Sequence, residues 1–253
     1  MEIKDQVVIV TGASRGLGTA IAKAFGSIGA NVVVNYYQNR ENAVQVAKSI
    51  GDHALPIGAD VRDKQQVEKM VSQAKSHFGK PVTTVVNNAL VNFRFDPVTR
   101  KDAFHIDWDD YQRQFEGSVQ AALNTTQAVL ADMKENRFGR IINIGTNLFQ
   151  NPVVPYHDYT TGKAALLGFT RNMANELGQY GITVNMVSGG LLKTTDASSA
   201  TTKEVFELIQ SITPLRNVTS PEEVADVVLF FASKWGRAVT GQNLVVDGGL
   251  VMD

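Results

Sequence analysis

The stretch YHDYTTGKAALLGF, residues 156–169, carries a phenol, Tyr159, four residues ahead of an ammonium, Lys163. Four residues is slightly more than one helical turn, so both side chains leave the same face of a helix. A phenol with a reference pKa near 10 is a poor acid at neutral pH and a poorer base. A cation held beside it stabilises phenolate, and each unit of lowering corresponds to about 1.4 kcal/mol. The pair is suited to passing a proton to or from a substrate oxygen. By that reasoning Lys163 is expected to lower the pKa of Tyr159.

A second group of residues is suited to phosphate. VTGASRGLG (10–18) stands between a β-branched run and an amphipathic helical pattern. Gly12, Gly16 and Gly18 would make the tight turn, admit a phosphate close to the backbone and let helix lie on strand. The free N–H groups and positive dipole end of that helix would then face a pyrophosphate. In dinucleotide folds an acid at the end of the second strand bonds both ribose hydroxyls of NAD. Here that strand ends NVVVNYYQNR, with Asn35, Tyr36 and Tyr37 in place of an acid, while Arg15 sits inside the glycine loop. Missing repulsion and an available cation favour NADP(H); the alternative is an Arg15 that faces solvent.

The elements that must position these groups are legible as alternation. QVVIVT (6–11), NVVVNY (31–36), HALPIGADV (53–61), VTTVVNN (82–88), RIINIG (140–145), ITVNMVS (182–188) and NLVVDG (243–248) read as strands. They are apolar almost throughout, as strands covered on both faces are. Between them run helical patterns, among them 17–29, 65–79, one long helix over 109–133 and another over 157–179. Strand and helix in alternation imply right-handed crossovers and a parallel sheet. The expected fold is α/β: one domain over 1–253, a Rossmann-type doubly wound parallel sheet of about seven strands. Residues 90–107 and 189–203 are irregular loops that follow strands, so they fall at the carboxyl edge of the sheet, where such folds bind ligands.

Composition narrows the function. The chain has 253 residues, 24 basic against 25 acidic, for a net charge of −1, so no basic field points to nucleic acid. It has no cysteine, which removes disulfides, thiolate metal sites and a cysteine nucleophile. Its four histidines (53, 77, 105, 157) lack metal-ligand spacing. No apolar run approaches the ~20 residues needed to cross a bilayer, and MEIKDQVVIVTG is charged and then strand-like rather than a signal peptide. A cytoplasmic protein is expected.

With these residues in view, nearly the whole chain resembles the short-chain dehydrogenase/reductase family. TGASRGLG matches the cofactor loop, ADV (59–61) the adenine-contact turn, NNAL (87–90) the N-N-A-G element, YTTGK (159–163) the Y-x-x-x-K pair and TGQNLVVDGG (240–249) a C-terminal signature. The resemblance implies that Gly12, Ser14, Arg15, Gly16, Leu17 and Gly18 of the glycine loop bind the cofactor, together with Tyr36 and Tyr37 at the end of the second strand. It implies that Asp60, Val61 and Asn88 contact the adenine and its ribose, that Tyr159 and Lys163 lie on the nicotinamide ribose, and that Leu192 and Thr194 hold the carboxamide. It further implies carbonyl reduction by NADPH, with Tyr159 as acid, and a second hydroxyl thirteen residues before the tyrosine. That position is Thr146, which keeps the hydroxyl and adds a methyl. The family's asparagine in the long helix, which holds a proton-carrying water, aligns with Ser118. Asn124 lies six residues too late to replace it. Leu90 and Gly189 replace a glycine and a proline of the pattern, and Gly189 is expected to loosen the backbone there. The closest resemblance, through GASRGLG, GRIINIG and the tail over 214–233, is to 3-oxoacyl-(acyl carrier protein) reductases, which implies a 3-oxoacyl thioester substrate, small or carrier-linked. Another small ketone or alcohol, or a dinucleotide-binding sensor with little turnover, are the alternatives. Arg94, Arg100 and Lys101 are expected to be solvated, with an acidic carrier as their other possible partner. The family habit, with apolar residues on more than one face of helices 109–133 and 157–179, implies a homotetramer.

Overall fold

The computed structural model describes all residues except Val91, Asn92, Arg94, Thr194, Asp196, Ala197, Ala200 and Asp253. Its seven strands are β1 (Val7–Val10), β2 (Asn31–Tyr36), β3 (Ala54–Gly58), β4 (Thr84–Asn87), β5 (Gly139–Thr146), β6 (Ile182–Gly189) and β7 (Asn243–Val246). They form one sheet in the order β3-β2-β1-β4-β5-β6-β7, and every neighbouring pair is parallel. The expected doubly wound fold is therefore present. The chain winds outward from β1 to β3, returns to β4 and winds the other way, so the strand order reverses between β1 and β4. A crevice opens at the carboxyl ends at such a switch point.

Two cores clamp the sheet, and single strands feed both. Val8 and Val10 of β1 join the core shared with α1 (Gly16–Ser27), α2 (Arg40–Ile50) and α8 (Pro221–Ala232). Val7 and Ile9 join the opposite core, with α3 (Lys64–Phe78), α5 (Ala121–Glu135) and α6 (His157–Leu177). Successive side chains of a strand point to opposite faces, so a wholly apolar strand needs cover on both. Helix ends follow local chemistry. Asp63 caps α3 through the N–H groups of Gln65 and Gln66, and Gly79 ends it at φ +64°. Ser220 and Glu223 close a capping box on α8.

One expectation needs correction. The long helix predicted over 109–133 is two helices, α4 (Trp108–Phe115) and α5, joined by a single π-helical turn at Glu116–Gln120. Apolar periodicity runs through both pieces and hides the break. Gly117 and Ser118 lie in that turn: glycine is a weak helix former, and serine competes for backbone carbonyls. The second irregular loop also ends as a helix, α7 (Lys203–Ile212).

Candidate active site

The glycine loop is built around contacts that exclude a Cβ. Gly12 has φ +63°, and a methyl there would stand 2.9 Å from the Ala89 Cα. At Gly18 it would stand 2.4 Å from the Gly12 carbonyl oxygen and 2.6 Å from Asn88 Nδ2. Gly16, at φ +53°, opens α1, whose N-cap residue Arg15 caps no backbone group with its side chain. The first-turn N–H groups thus point outward beneath a loop that lies close on the sheet. This is a fit for a pyrophosphate, on backbone rather than on side chains. A cavity of ≈410 Å³ opens beside it, lined in part by Ser14, Arg15, Gly16, Lys23 and Glu222. The Leu17 side chain lies against the core, which leaves its backbone N–H for the cleft.

The residues around the loop are more occupied than their sequence motifs suggested. Asn88 Nδ2 donates to the carbonyls of Thr11 (2.9 Å) and Gly12 (3.2 Å), so this amide holds the loop in place. The Asp60 carboxylate accepts four hydrogen bonds from Arg62, one from its backbone N–H and three from its guanidinium, the shortest from Nη2 to Oδ2 at 2.6 Å. The Arg62 guanidinium holds the Asp60 carboxyl below the usual carboxylate range, and its carbon lies 5.8 Å above the Tyr37 ring. Arg62 was not singled out from the sequence; its place directly after the ADV turn is the available signal. Val61 is buried, and its carbonyl accepts from Asn124 Nδ2 at 3.0 Å. Asn124 therefore anchors the β3–α3 turn instead of holding a water at the helix break. Tyr36 covers Gly58 on β3, whereas Tyr37 is exposed.

At the other side of the switch point, β5 and α6 bring the hydroxyls and the ammonium together. Thr146 ends β5, where its Oγ1 accepts from the Leu148 N–H at 3.3 Å, and it lies close enough to the Tyr159 phenol to favour the ionised form. Lys163 Nζ donates to the Ile144 carbonyl at 2.7 Å and lies 5.9 Å from the centroid of the Tyr159 ring. Tyr159 is 6% exposed and Lys163 3%. Burial pushes the phenol up to about 12, only partly opposed by Thr146, and pushes the ammonium down to about 8. The expectation that Lys163 holds the phenol pKa low is thus reversed: desolvation outweighs a cation that reaches a carbonyl rather than the hydroxyl.

Ser118 and Lys163 both line a small cavity, together with Thr11, Asn87, Ala122 and Leu166. Its volume is ≈10 Å³, close to what one water molecule requires. The π-turn is what sets Ser118 there. Gly189 sits in the parallel ladder between Thr146 of β5 and Val246 of β7, so its backbone is held on both sides and not loosened as expected. Leu192 lies against the α1/α8 core, and Thr194 falls outside the described residues.

No motif or periodicity announces what covers the phenol. Phe93, from the first irregular loop, stacks on the Tyr159 ring with centroids 4.6 Å apart and planes 18° from parallel. Phe95 meets the same ring edge-on at 5.0 Å. In the same loop Lys101 is bound to Asp107 (3.0 Å) and Asp110 (2.6 Å), so it is tied to the start of α4; Arg94 falls outside the described residues. Among the described residues there is no histidine and carboxylate cluster able to hold a metal, and no helix long and apolar enough to cross a membrane.

A parallel doubly wound sheet with a glycine-rich first turn, and a tyrosine and lysine one helical turn apart at the carboxyl edge, define a class of dinucleotide-dependent oxidoreductases. The chain belongs to the short-chain dehydrogenase/reductase family: the family model described as enoyl-(acyl carrier protein) reductase matches residues 12–251. The chain is 34% identical to the 3-oxoacyl-[acyl-carrier-protein] reductase of Synechocystis sp., over 98% of this chain and 97% of that protein. It is 35% identical to versicolorin reductase of Emericella nidulans, over 98% and 96%. The crystal structure of a 3-oxoacyl-[acyl-carrier protein] reductase with bound NAD from Brucella melitensis matches with a TM-score of 0.87 at 30% identity, over 98% of this chain and 92% of that one. The protein is accordingly an oxidoreductase of the CH–OH/carbonyl couple that uses a nicotinamide dinucleotide.

Proposed function

We propose that this protein reduces a 3-oxoacyl thioester, free or carried on acyl carrier protein, to the 3-hydroxy compound with NADPH. The observation that carries the reading is the buried Tyr159 phenol one helical turn from the buried Lys163 ammonium, across the switch point from a glycine loop shaped for pyrophosphate. When bound, NADPH supplies the hydride, which no side chain can. Tyr159 gives its proton to the oxygen of the substrate carbonyl; with burial holding its pKa up, the phenol is protonated at neutral pH and ready for reduction. Thr146 Oγ1 positions that oxygen. Lys163 and the Ser118 cavity carry the replacement proton. Gly12, Ser14, Gly16, Leu17 and Gly18 would seat the pyrophosphate, Asp60, Val61 and Asn88 the adenosine side, and Leu192 and Thr194 the carboxamide.

Preference for NADPH is supported by the absence of an acid at the end of β2 and by Arg15 and Lys23 on one cavity wall, although Glu222 shares it. The names of the relatives support the thioester. A single domain, a cytoplasmic location and a homotetramer belong to the same reading; exposed Trp108 at the start of α4 supports the last. The test is NADPH oxidation with acetoacetyl thioester. Tyr159→Phe should lower turnover by at least about 10²–10⁴-fold with NADPH affinity kept. Arg15→Ala should weaken NADPH more than NADH; equal losses refute the 2′-phosphate assignment.

A further inference from the structure

The aromatic cluster over Tyr159 has the geometry of a filled binding site. Phe93 lies flat on the phenol, at 18° and 4.6 Å. Its edge meets Phe95 at 78° and 5.0 Å, and Tyr156 at 84° and 5.5 Å. Phe95 also stands edge-on to both tyrosines, at 82° to Tyr156 and 85° to Tyr159. One ring is thus held by a face below and by two upright rings at its edges, the arrangement that the quadrupoles of aromatic groups favour. Phe93 comes from the loop after β4, while Tyr156 and Tyr159 come from the start of α6. A loop side chain can withdraw; the helix cannot.

A substrate carbonyl must reach the Tyr159 hydroxyl, and Phe93 is stacked on that ring. Withdrawing it forfeits three aromatic contacts. A flat ring entering the same place restores them, whereas a flexible alkyl chain restores apolar contact alone. We propose that Phe93 holds the place of an aromatic ring of the substrate, and that Tyr159, Phe95 and Tyr156 form a subsite for a carbonyl compound bearing such a ring beside the reacting carbon. This rests on the carbonyl-reduction reading above and narrows it from acyl groups in general to aryl-bearing ones.

Three esters separate shape from apolar size: ethyl 3-oxo-4-phenylbutanoate, ethyl 3-oxodecanoate and ethyl 3-oxobutanoate. The first two place the same number of carbons beyond the ketone, as a ring in one and a chain in the other. Wild-type kcat/KM should favour the ring over the chain by about tenfold, the worth of one to three aromatic contacts. Phe95→Leu should bring that ratio near unity. Phe93→Ala, which removes the competitor and leaves the walls, should raise kcat/KM for the phenyl ester several-fold. A wild-type ratio at or below unity overturns the proposal, and so does a Phe93→Ala variant that loses the preference, since Phe93 would then be a wall. Calorimetric titration of the same esters reads the subsite without turnover, with melting temperatures confirming that both variants fold. Selective binding of the phenyl ester without any NADPH oxidation would keep the subsite and refute the reductase reading. Equal binding of ring and chain would refute the subsite.

Discussion

Replacing Lys163 with methionine is expected to stabilise the fold while abolishing turnover. The ammonium is 3% exposed, and its one hydrogen bond among the described residues goes to the Ile144 carbonyl, with no carboxylate near it. Burial lowers its pKa from 10.5 to about 8. That difference of about 2.5 units amounts to about 3 kcal/mol of folding free energy lost whenever the folded protein carries the charge. The folded protein releases this proton first, so between about pH 8 and 10.5 the unfolded chain binds more protons and stability rises with pH. Below pH 8 the whole cost is present. Methionine has similar length and no charge; it removes the cost and forfeits a charge-assisted hydrogen bond of about 1.5–3 kcal/mol. A net gain of about 1 kcal/mol at pH 7 remains, or ~2–4 °C in Tm for a chain of this size. Thermal melting of the nucleotide-free protein at pH 7 and pH 9.5 checks this. The variant should melt higher at pH 7, and its advantage should shrink or reverse at pH 9.5. Tyr159 works in the opposite sense only above pH 10, where the unfolded phenol ionises before the folded one. A variant that melts lower at pH 7, with a gap that does not change with pH, would refute the reasoning that Lys163 is a desolvated cation.

Gly18→Ala should destabilise the protein by about 1–3 kcal/mol and weaken NADPH binding more than tenfold, because its methyl would enter the Gly12 carbonyl and the Asn88 amide. Gly168→Ala, on an open stretch of α6 with nothing within 4 Å, should instead gain about 0.5–1 kcal/mol by denaturant unfolding. Ser118→Ala should lower kcat by about tenfold and change the solvent deuterium isotope effect, with KM and melting temperature unmoved; an unchanged kcat would show that the cavity beside Lys163 carries no proton.

Much of the architecture was readable in advance because its causes are local. Seven apolar runs separated by helical periods can be buried only in a covered parallel sheet, and glycines at 12, 16 and 18 announce a turn no other residue fits. The tyrosine and lysine were visible for a similar reason: one helical turn places them on one face whatever surrounds them. The helix over 109–133 misled because a π-turn alters the register by a single residue and leaves apolar spacing nearly intact.

Ionisation and access were decided elsewhere. Whether an ammonium lowers a phenol pKa depends on where its nitrogen points and how much water remains, and here the nitrogen bonds Ile144 while the phenol is sealed. The seal comes from Phe93 and Phe95, more than sixty residues before the tyrosine they cover, in a loop without periodicity. Order along the chain thus determined the sheet, the nucleotide turn and the paired side chains, since each depends on neighbours within a turn or a strand. Only the tertiary structure decided the ionisation of the phenol and the cover of its ring, because desolvation depends on everything that surrounds a group in space.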